Sequence, residues 1–247
     1  MSRRRFPCLG LVLALTASSL AASAVAQGGE PAGASTGGGF APPPACRYAR
    51  TVLGGDPLHD HADLLLDTEF GLPPTPDPPD LVSVRASGFD SDHLVREIVL
   101  SDLSALKRDA RAAGLALDVR SAYRSFTYQE QVFAYWVSRL GEAQALRVSA
   151  RPGHSEHQLG TAVDFGSRGG PAPWDEDDWG RSQEGAWLAE NAYRYGFLLS
   201  YPAGEEERTC YDYEPWHFRW VGRDRASAVQ AEGVPLRVWL WRHMPPR

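Results

Sequence analysis

Apolar residues recur at helical spacing through the middle of the chain. Val99, Leu103, Leu106, Ala110 and Ala113 fall on one face at i, i+4, i+7, i+11 and i+14, so the spacing predicts a helix that Gly114 ends. Leu115, Leu117 and Val119 then alternate with Ala116, Asp118 and Arg120, the period of a half-buried strand. Thr127 with Glu130 forms a capping-box pattern, and Val132, Phe133, Trp136, Val137 and Leu140 give the helix behind it one apolar face. A short helix is predicted over 142–148, and strands over 161–165, 197–201 and 217–221. Leu188, Ala192 and Tyr195 indicate a helix stopped by Gly196, and a terminal helix is expected over 223–232. From Leu64 to Val84 no period holds. Pro73, Pro74, Pro76, Pro78 and Pro79 forbid a helix, so this stretch is expected to wrap the surface in extended form. Helices and strands in this order predict an α+β fold, with a small, largely antiparallel sheet flanked by helices.

The N-terminus changes the picture. Arg3, Arg4 and Arg5, an apolar run from Cys8 to Leu15, and Ala24-Val25-Ala26 have the layout of a secretory signal peptide over 1–26. The apolar run is too short for a membrane anchor, and no later stretch is long and apolar enough to span a bilayer. Residues 27–45 are rich in Gly, Pro, Ala and Ser and read as a flexible linker, leaving 46–247 as one domain. Removing the signal takes three of the 25 basic residues and none of the 31 acidic ones, which leaves 22 against 31, a net charge of −9. Such a chain has no broad attraction for nucleic acid or anionic membranes. Cys8 leaves with the signal, so Cys46 and Cys210 remain as an even pair in an exported chain and are read as a disulfide. Two free thiols, or Cys210 as a soft metal ligand, are the alternatives.

The candidate chemistry lies at His157, Asp164 and His217. Two imidazoles and a carboxylate are a common set for catalytic zinc, with a fourth position left to water. Glu214, three residues before the last ligand, can take the proton from that water. In the predicted strand Asp164 shares a face with Ala162 while Val163 and Phe165 take the other. Glu214 and His217 would face opposite ways in a regular strand, so a bend at Pro215-Trp216 must bring both to the metal. His154 adjoins the site without matching a ligand position, and Trp216 reads as a packing wall. The cluster His59, Asp60, His61 and Asp63 is expected to be solvated, and Asp175 to Asp178 to form an exposed acidic loop near the cleft.

The order Ser-x-His-x-x-Gly-x-Ala-x-Asp over 155–164, followed by Glu-Pro-Trp-His over 214–217, resembles the VanY-type D-alanyl-D-alanine carboxypeptidases. These belong to the zinc peptidases that include the D-Ala-D-Ala dipeptidases and share a metal-site fold with the Hedgehog signalling domain. Ser121-Ala122-Tyr123-Arg124-Ser125 is similar to the family's Ser-Gly-Tyr-Arg-Ser, with Ala122 in place of Gly. The resemblance implies zinc on His157, Asp164 and His217, with Glu214 as general base and then proton donor. It further implies that Arg124 stabilises the oxyanion or grips substrate, and that Ser155 and Gln129 contact substrate. The implied substrate is a peptidoglycan stem peptide that loses its terminal D-Ala outside the cytoplasm to a monomeric enzyme. An L,D-carboxypeptidase or a peptidoglycan endopeptidase would use the same machinery, and a non-catalytic wall- or protein-binding domain is the rival of another class.

Overall fold

The computed structural model describes residues 42–54 and 59–243; the predicted signal peptide and the linker up to residue 41 lie outside the described residues. In chain order the strands are β1 (Thr51–Val52), β2 (Phe70–Gly71), β3 (Leu81–Ser83), β4 (Leu94–Arg96), β5 (Leu117–Ser121), β6 (Ala162–Ser167), β7 (Phe197–Leu199) and β8 (His217–Trp220). The helices are α1 (Leu100–Ala112), α2 (Phe126–Leu140), α3 (Glu142–Val148), α4 (Gln183–Asn191), α5 (Glu206–Thr209), α6 (Arg223–Glu232) and α7 (Leu236–His243). The fold is α+β. Its central sheet is antiparallel throughout, in the order β5-β6-β8-β7, and two small pairs, β1 with β2 and β3 with β4, stand beside it.

Alternation along the strands sorts the sheet into two faces. Val119, Val163, Phe165, Phe197 and Phe218 point one way and pack on Leu103, Leu106 and Ala110 of α1 and on Trp179 and Leu188. Burying each large side chain of this kind stabilises the fold by roughly 1.5–3 kcal/mol. Asp164, His217 and Arg219, at the alternate positions, lie on the other face, where the site is built.

Most predicted elements are present, with ends shifted by a few residues. The face of α1 carries Val99, Leu103, Leu106 and Ala110 into the core, while Ala113 caps the helix and is exposed. The N-cap of α2 is Ser125 rather than Thr127: Ser125 is extended, and its Oγ accepts from the Tyr128 amide at 3.1 Å. The apolar stripe of α2 is only half-buried, because Val132 and Trp136 line a cavity instead of the core. Helix α7 follows Pro235 and was not anticipated. Its Leu236 and Leu240, one turn apart, join Leu65, Leu198, Val221 and Val229 in a second apolar cluster.

The expectation for 64–84 needs correction. Leu64, Leu65, Leu66 and Leu72 are buried, and only the proline-rich part runs along the surface. A run buried on all sides carries no period to read. The cluster at 59–63 is also not simply solvated. His61 is buried, its ring stacks on Trp220 at 6.0 Å, and Asp63 pairs with Arg225 at 2.6 Å.

A disulfide joins Cys46 to Cys210 across 164 residues of sequence. Arg237 of α7 holds the same region: it donates to the Asp67 carboxylate, to the Arg208 carbonyl and to the Pro44 carbonyl. Replacing both cysteines by Ser is expected to lower the unfolding free energy by about 2–4 kcal/mol, because the unfolded chain regains the freedom of a long loop. A guanidinium titration measures this, and an unchanged midpoint would show that Arg237 alone anchors the segment.

Candidate metal centre

Asp164 of β6 and His217 of β8 are directly opposed in the antiparallel ladder, so their side chains emerge side by side. His217 Nδ1 lies 3.0 Å from Asp164 Oδ1. His157 arrives from a single 3₁₀ turn, Glu156–Leu159, which Gly160 ends at φ +71. A Cβ on Gly160 would also stand 2.9 Å from Arg96 Cγ, so the turn requires glycine on both counts. The turn places His157 Nε2 3.2 Å from Asp164 Oδ2. The ligand atoms of the three residues lie within 4.8 Å of one another, and all three side chains are buried.

Each imidazole is oriented from behind. His157 Nδ1 donates to the Ala122 carbonyl at 2.6 Å, which leaves Nε2 as the lone-pair nitrogen. Among the described residues that buried Nε2 makes no hydrogen bond, with Asp164 Oδ2 the nearby group at 3.2 Å. His217 Nε2 donates to Glu156 Oε2 at 2.9 Å, which turns Nδ1 inward. Two ring nitrogens and a carboxylate therefore converge on one point, where His217 Nδ1 and Asp164 Oδ1 are each other's hydrogen-bond partners at 3.0 Å and a shared cation would satisfy all three groups. Nitrogen and oxygen donors of this kind fit zinc.

The protein's own charges have marked effects here. Burial and the Arg124 guanidinium lower His157 to about 4, so its ring is neutral. Burial alone would lower His217, but the Asp164 and Glu156 carboxylates raise it to about 10. Burial would likewise raise Asp164, yet the two imidazoles hold it far below the usual carboxylate range. Glu214 is pushed up to about 8, chiefly by burial, with Asp164 and Glu156 adding to the rise. A cation beside Glu214 opposes that shift.

The bend required at Pro215-Trp216 is a turn. The His217 amide donates to the Glu214 carbonyl at 3.1 Å, and Glu214 Oε2 ends 3.9 Å from His217 Nδ1. Arg124 leaves the end of β5 with its amide directed at the His157 carbonyl, and its Nη2 reaches 3.9 Å from Asp164 Oδ2. Among the described residues, Arg124 Nε is buried without a hydrogen-bond partner. These groups open into a cavity of about 540 Å³, walled by Tyr123, Tyr128, Trp136, Trp174 and Trp216 and also lined by Ser155. Trp216 meets Trp174 edge to face at 6.2 Å. The acidic residues at 175–178 are mostly exposed beside Trp174.

Two residues lie apart from this group. Gln129 is buried behind the wall and is not among the lining side chains; its Nε2 donates to the Ala150 carbonyl at 2.7 Å. His154 turns away, with Nδ1 2.7 Å from the Asp67 carbonyl and its ring packed against Gly71.

Sequence reading passed over Glu156, Ser200 and Arg219. Glu156 Oε2 also accepts from Ser200 Oγ at 2.6 Å, and Oε1 accepts from Arg219 Nη1 at 3.0 Å. Burial would raise this carboxyl, but Arg219 and His217 hold it at about 2. Arg219 is fully buried, and its Nη2 donates to the His61 and Leu64 carbonyls, both at 2.7 Å. The signal was available: alternation puts Arg219 on the face of His217, and a buried guanidinium demands a carboxylate.

Comparison with known proteins bears on this geometry. Residues 92–223 match the family model VanY, D-alanyl-D-alanine carboxypeptidase. The protein YodJ of Bacillus subtilis (strain 168) is 37% identical over 180 residues, covering 71% of this chain and 66% of its own. A D-alanyl-D-alanine carboxypeptidase of Enterococcus faecalis (strain ATCC 700802 / V583) is 37% identical over 140 residues, 53% of this chain and 50% of its own. The chain thus spans about half to two thirds of the length of these curated relatives. Among solved structures, the LdcB LD-carboxypeptidase superposes with a TM-score of 0.65 at 30% identity, covering 79% of this chain and 95% of that one. VanYB in complex with D-alanine-D-alanine superposes with a TM-score of 0.62 at 29% identity, covering 72% and 97%. A vancomycin-resistance D,D-pentapeptidase VanY in complex with Zn(II) gives a TM-score of 0.62 at 28% identity, covering 73% and 99%.

Metal binding at this cluster is expected to release protons, because ligand nitrogens must be deprotonated. Near neutral pH one proton leaves His217, held to about 10, and part of another leaves Glu214, held to about 8; His157, at about 4, releases none. Affinity for a divalent cation should therefore fall at least about tenfold per pH unit on acidification. Calorimetry in buffers of different ionisation enthalpy counts the protons, and zero release would show that His217 is already neutral.

Proposed function

The chain belongs to the VanY family of D-alanyl-D-alanine carboxypeptidases, and from that premise we propose that it is a zinc-dependent enzyme that removes the terminal D-Ala from peptidoglycan stem peptides. The observation that carries this reading is the convergence of His157, Asp164 and His217, with Glu214 3.9 Å from the last of them. His157, His217 and Asp164 would hold the ion. Bound zinc supplies Lewis acidity, polarising the scissile carbonyl and acidifying water.

The chain's own groups do the rest. Glu214 accepts the proton of the attacking water and returns it to the leaving amine. Its burial suits both halves of that task, since a raised carboxyl holds a proton better than a solvated one. Arg124 brings a permanent charge and an unpaired buried Nε to the cavity, a fit to the negative charge that grows on the carbonyl oxygen. Ser155, in the cavity wall, offers its hydroxyl to the peptide's terminal carboxylate. Gln129 acts indirectly, by bracing the loop that carries Ser155. The disulfide suits an oxidising compartment, in line with export through the N-terminal signal. Among the described residues, no helix is long and apolar enough to cross a membrane. The enzyme is read as a monomer.

The likeness to LdcB favours one second reading, an L,D-carboxypeptidase built on the same centre. Incubation with a stem pentapeptide ending in D-Ala-D-Ala and, separately, with the tetrapeptide separates the two. Chelator-sensitive loss of one Ala from the pentapeptide alone is the expected result. Loss from the tetrapeptide alone would transfer the assignment to the L,D bond.

Glu214→Gln should keep one zinc per chain and lose about 10²- to 10⁴-fold in kcat, the usual worth of a positioned proton-transfer group. Wild-type turnover in that variant would place the base elsewhere.

A further inference from the structure

We propose that Glu156 is a positioning residue of the metal centre, holding the His217 ring in the one tautomer and orientation that turn Nδ1 toward His157 and Asp164. The inference rests on the reading of His217 as a ligand.

A neutral imidazole carries its proton on one nitrogen or the other. For Nδ1 to present a lone pair, Nε2 must keep the proton and something behind the ring must accept it. Glu156 Oε2, 2.9 Å away, is that acceptor. It meets the ring at the nitrogen facing away from Asp164, so it is placed to orient His217 and not to join the three ligands.

Glu156 is itself held firmly. Ser200 Oγ donates to the same oxygen at 2.6 Å, and Arg219 Nη1 donates to the other at 3.0 Å. Arg219 cannot shift easily, because its Nη2 is committed to the His61 and Leu64 carbonyls. Both carboxylate oxygens therefore accept, and neither partner of Glu156 other than Ser200 can do anything but donate in the arrangement described.

This predicts a specific failure on replacing the carboxylate by an amide of the same shape. Glutamine has one accepting oxygen and one donating NH₂. The permanently charged Arg219 claims the oxygen. The NH₂ then faces His217 Nε2, which must become an acceptor, and the ring proton moves to Nδ1. The imidazole turns its N–H toward the place where a lone pair is needed. The logic is that of the aspartate that sets the histidine tautomer in serine proteases.

The test uses the full domain with Glu156→Gln and Glu156→Asp. Zinc affinity is measured by chelator competition without substrate, and the His217 tautomer by ¹⁵N NMR. Glu156→Gln should bind zinc about 10- to 100-fold more weakly than wild type. Glu156→Asp, which keeps both accepting oxygens, should recover part of that loss. In the zinc-loaded wild type, His217 should carry its proton on Nε2, a measurement that needs no variant to fold. A ring proton on Nδ1 there, or a folded Glu156→Gln chain within about threefold of wild-type affinity, would overturn the proposal. A wild-type chain that binds no zinc, or zinc affinity untouched by His217→Ala, would overturn the ligand reading and the role of Glu156 with it.

Discussion

The antiparallel register of β6 against β8 is the constraint on which the rest depends. It sets Asp164 opposite His217 and, in the same stroke, Val163 opposite Phe218. One pair forms the polar centre and the other the apolar core, and the two alternate residue by residue along the same strands. A slip of one position would exchange them, burying a carboxylate and an imidazole among Phe197, Leu103 and Leu106 while turning apolar side chains to the cavity. The core therefore enforces the geometry of the site: the cost of misplacing Val163 and Phe218 is what keeps Asp164 and His217 in line.

The second level of organisation is electrostatic. Six ionisable side chains, His157, Asp164, His217, Glu156, Arg219 and Glu214, sit close together with little access to water. Buried charges are tolerated only when paired and hydrogen-bonded. Here Arg219 offsets Glu156, and the imidazoles offset Asp164. Among the described residues Glu214 has no ion pair closer than His217 at 3.9 Å, and its carboxyl is the one in the group that burial carries upward on balance. The same environment thus keeps one glutamate ionised and pushes its neighbour toward protonation. The difference lies in the partners: Arg219 first, then His217 and Ser200, all hydrogen-bond to Glu156.

Much of this was legible in the chain. The face of α1 and the limits of α3 and α6 could be read from spacing, because each presents one side to a core or ends at a residue with a clear local preference. The fold class followed from the order of elements. The three converging residues, with Glu214 and Arg124, were named from motif and chemistry. What local reading could not supply was anything that depends on a partner distant in sequence. The run from Leu64 to Leu66 has no period because it is covered on all sides. The stripe on α2 looked like a core face, yet it walls a cavity. Thr127 with Glu130 satisfied a capping pattern, but Ser125 was better placed to end the extended segment. Glu156 is silent until His217 and Arg219, some sixty residues later, are folded against it.

The strand order carries a consequence for how the molecule comes into being. In β5-β6-β8-β7 the last strand of the sequence occupies an interior position, between two strands that precede it. As the chain emerges from its N-terminus, β6 and β7 each lack a neighbour until His217–Trp220 has followed them. The sheet is complete only once β8 bridges β6 and β7, and that strand brings the last member of the metal cluster with it. Completion of the hydrogen-bonded framework and assembly of the reactive centre are therefore one event, so a chain cut short before residue 217 has neither.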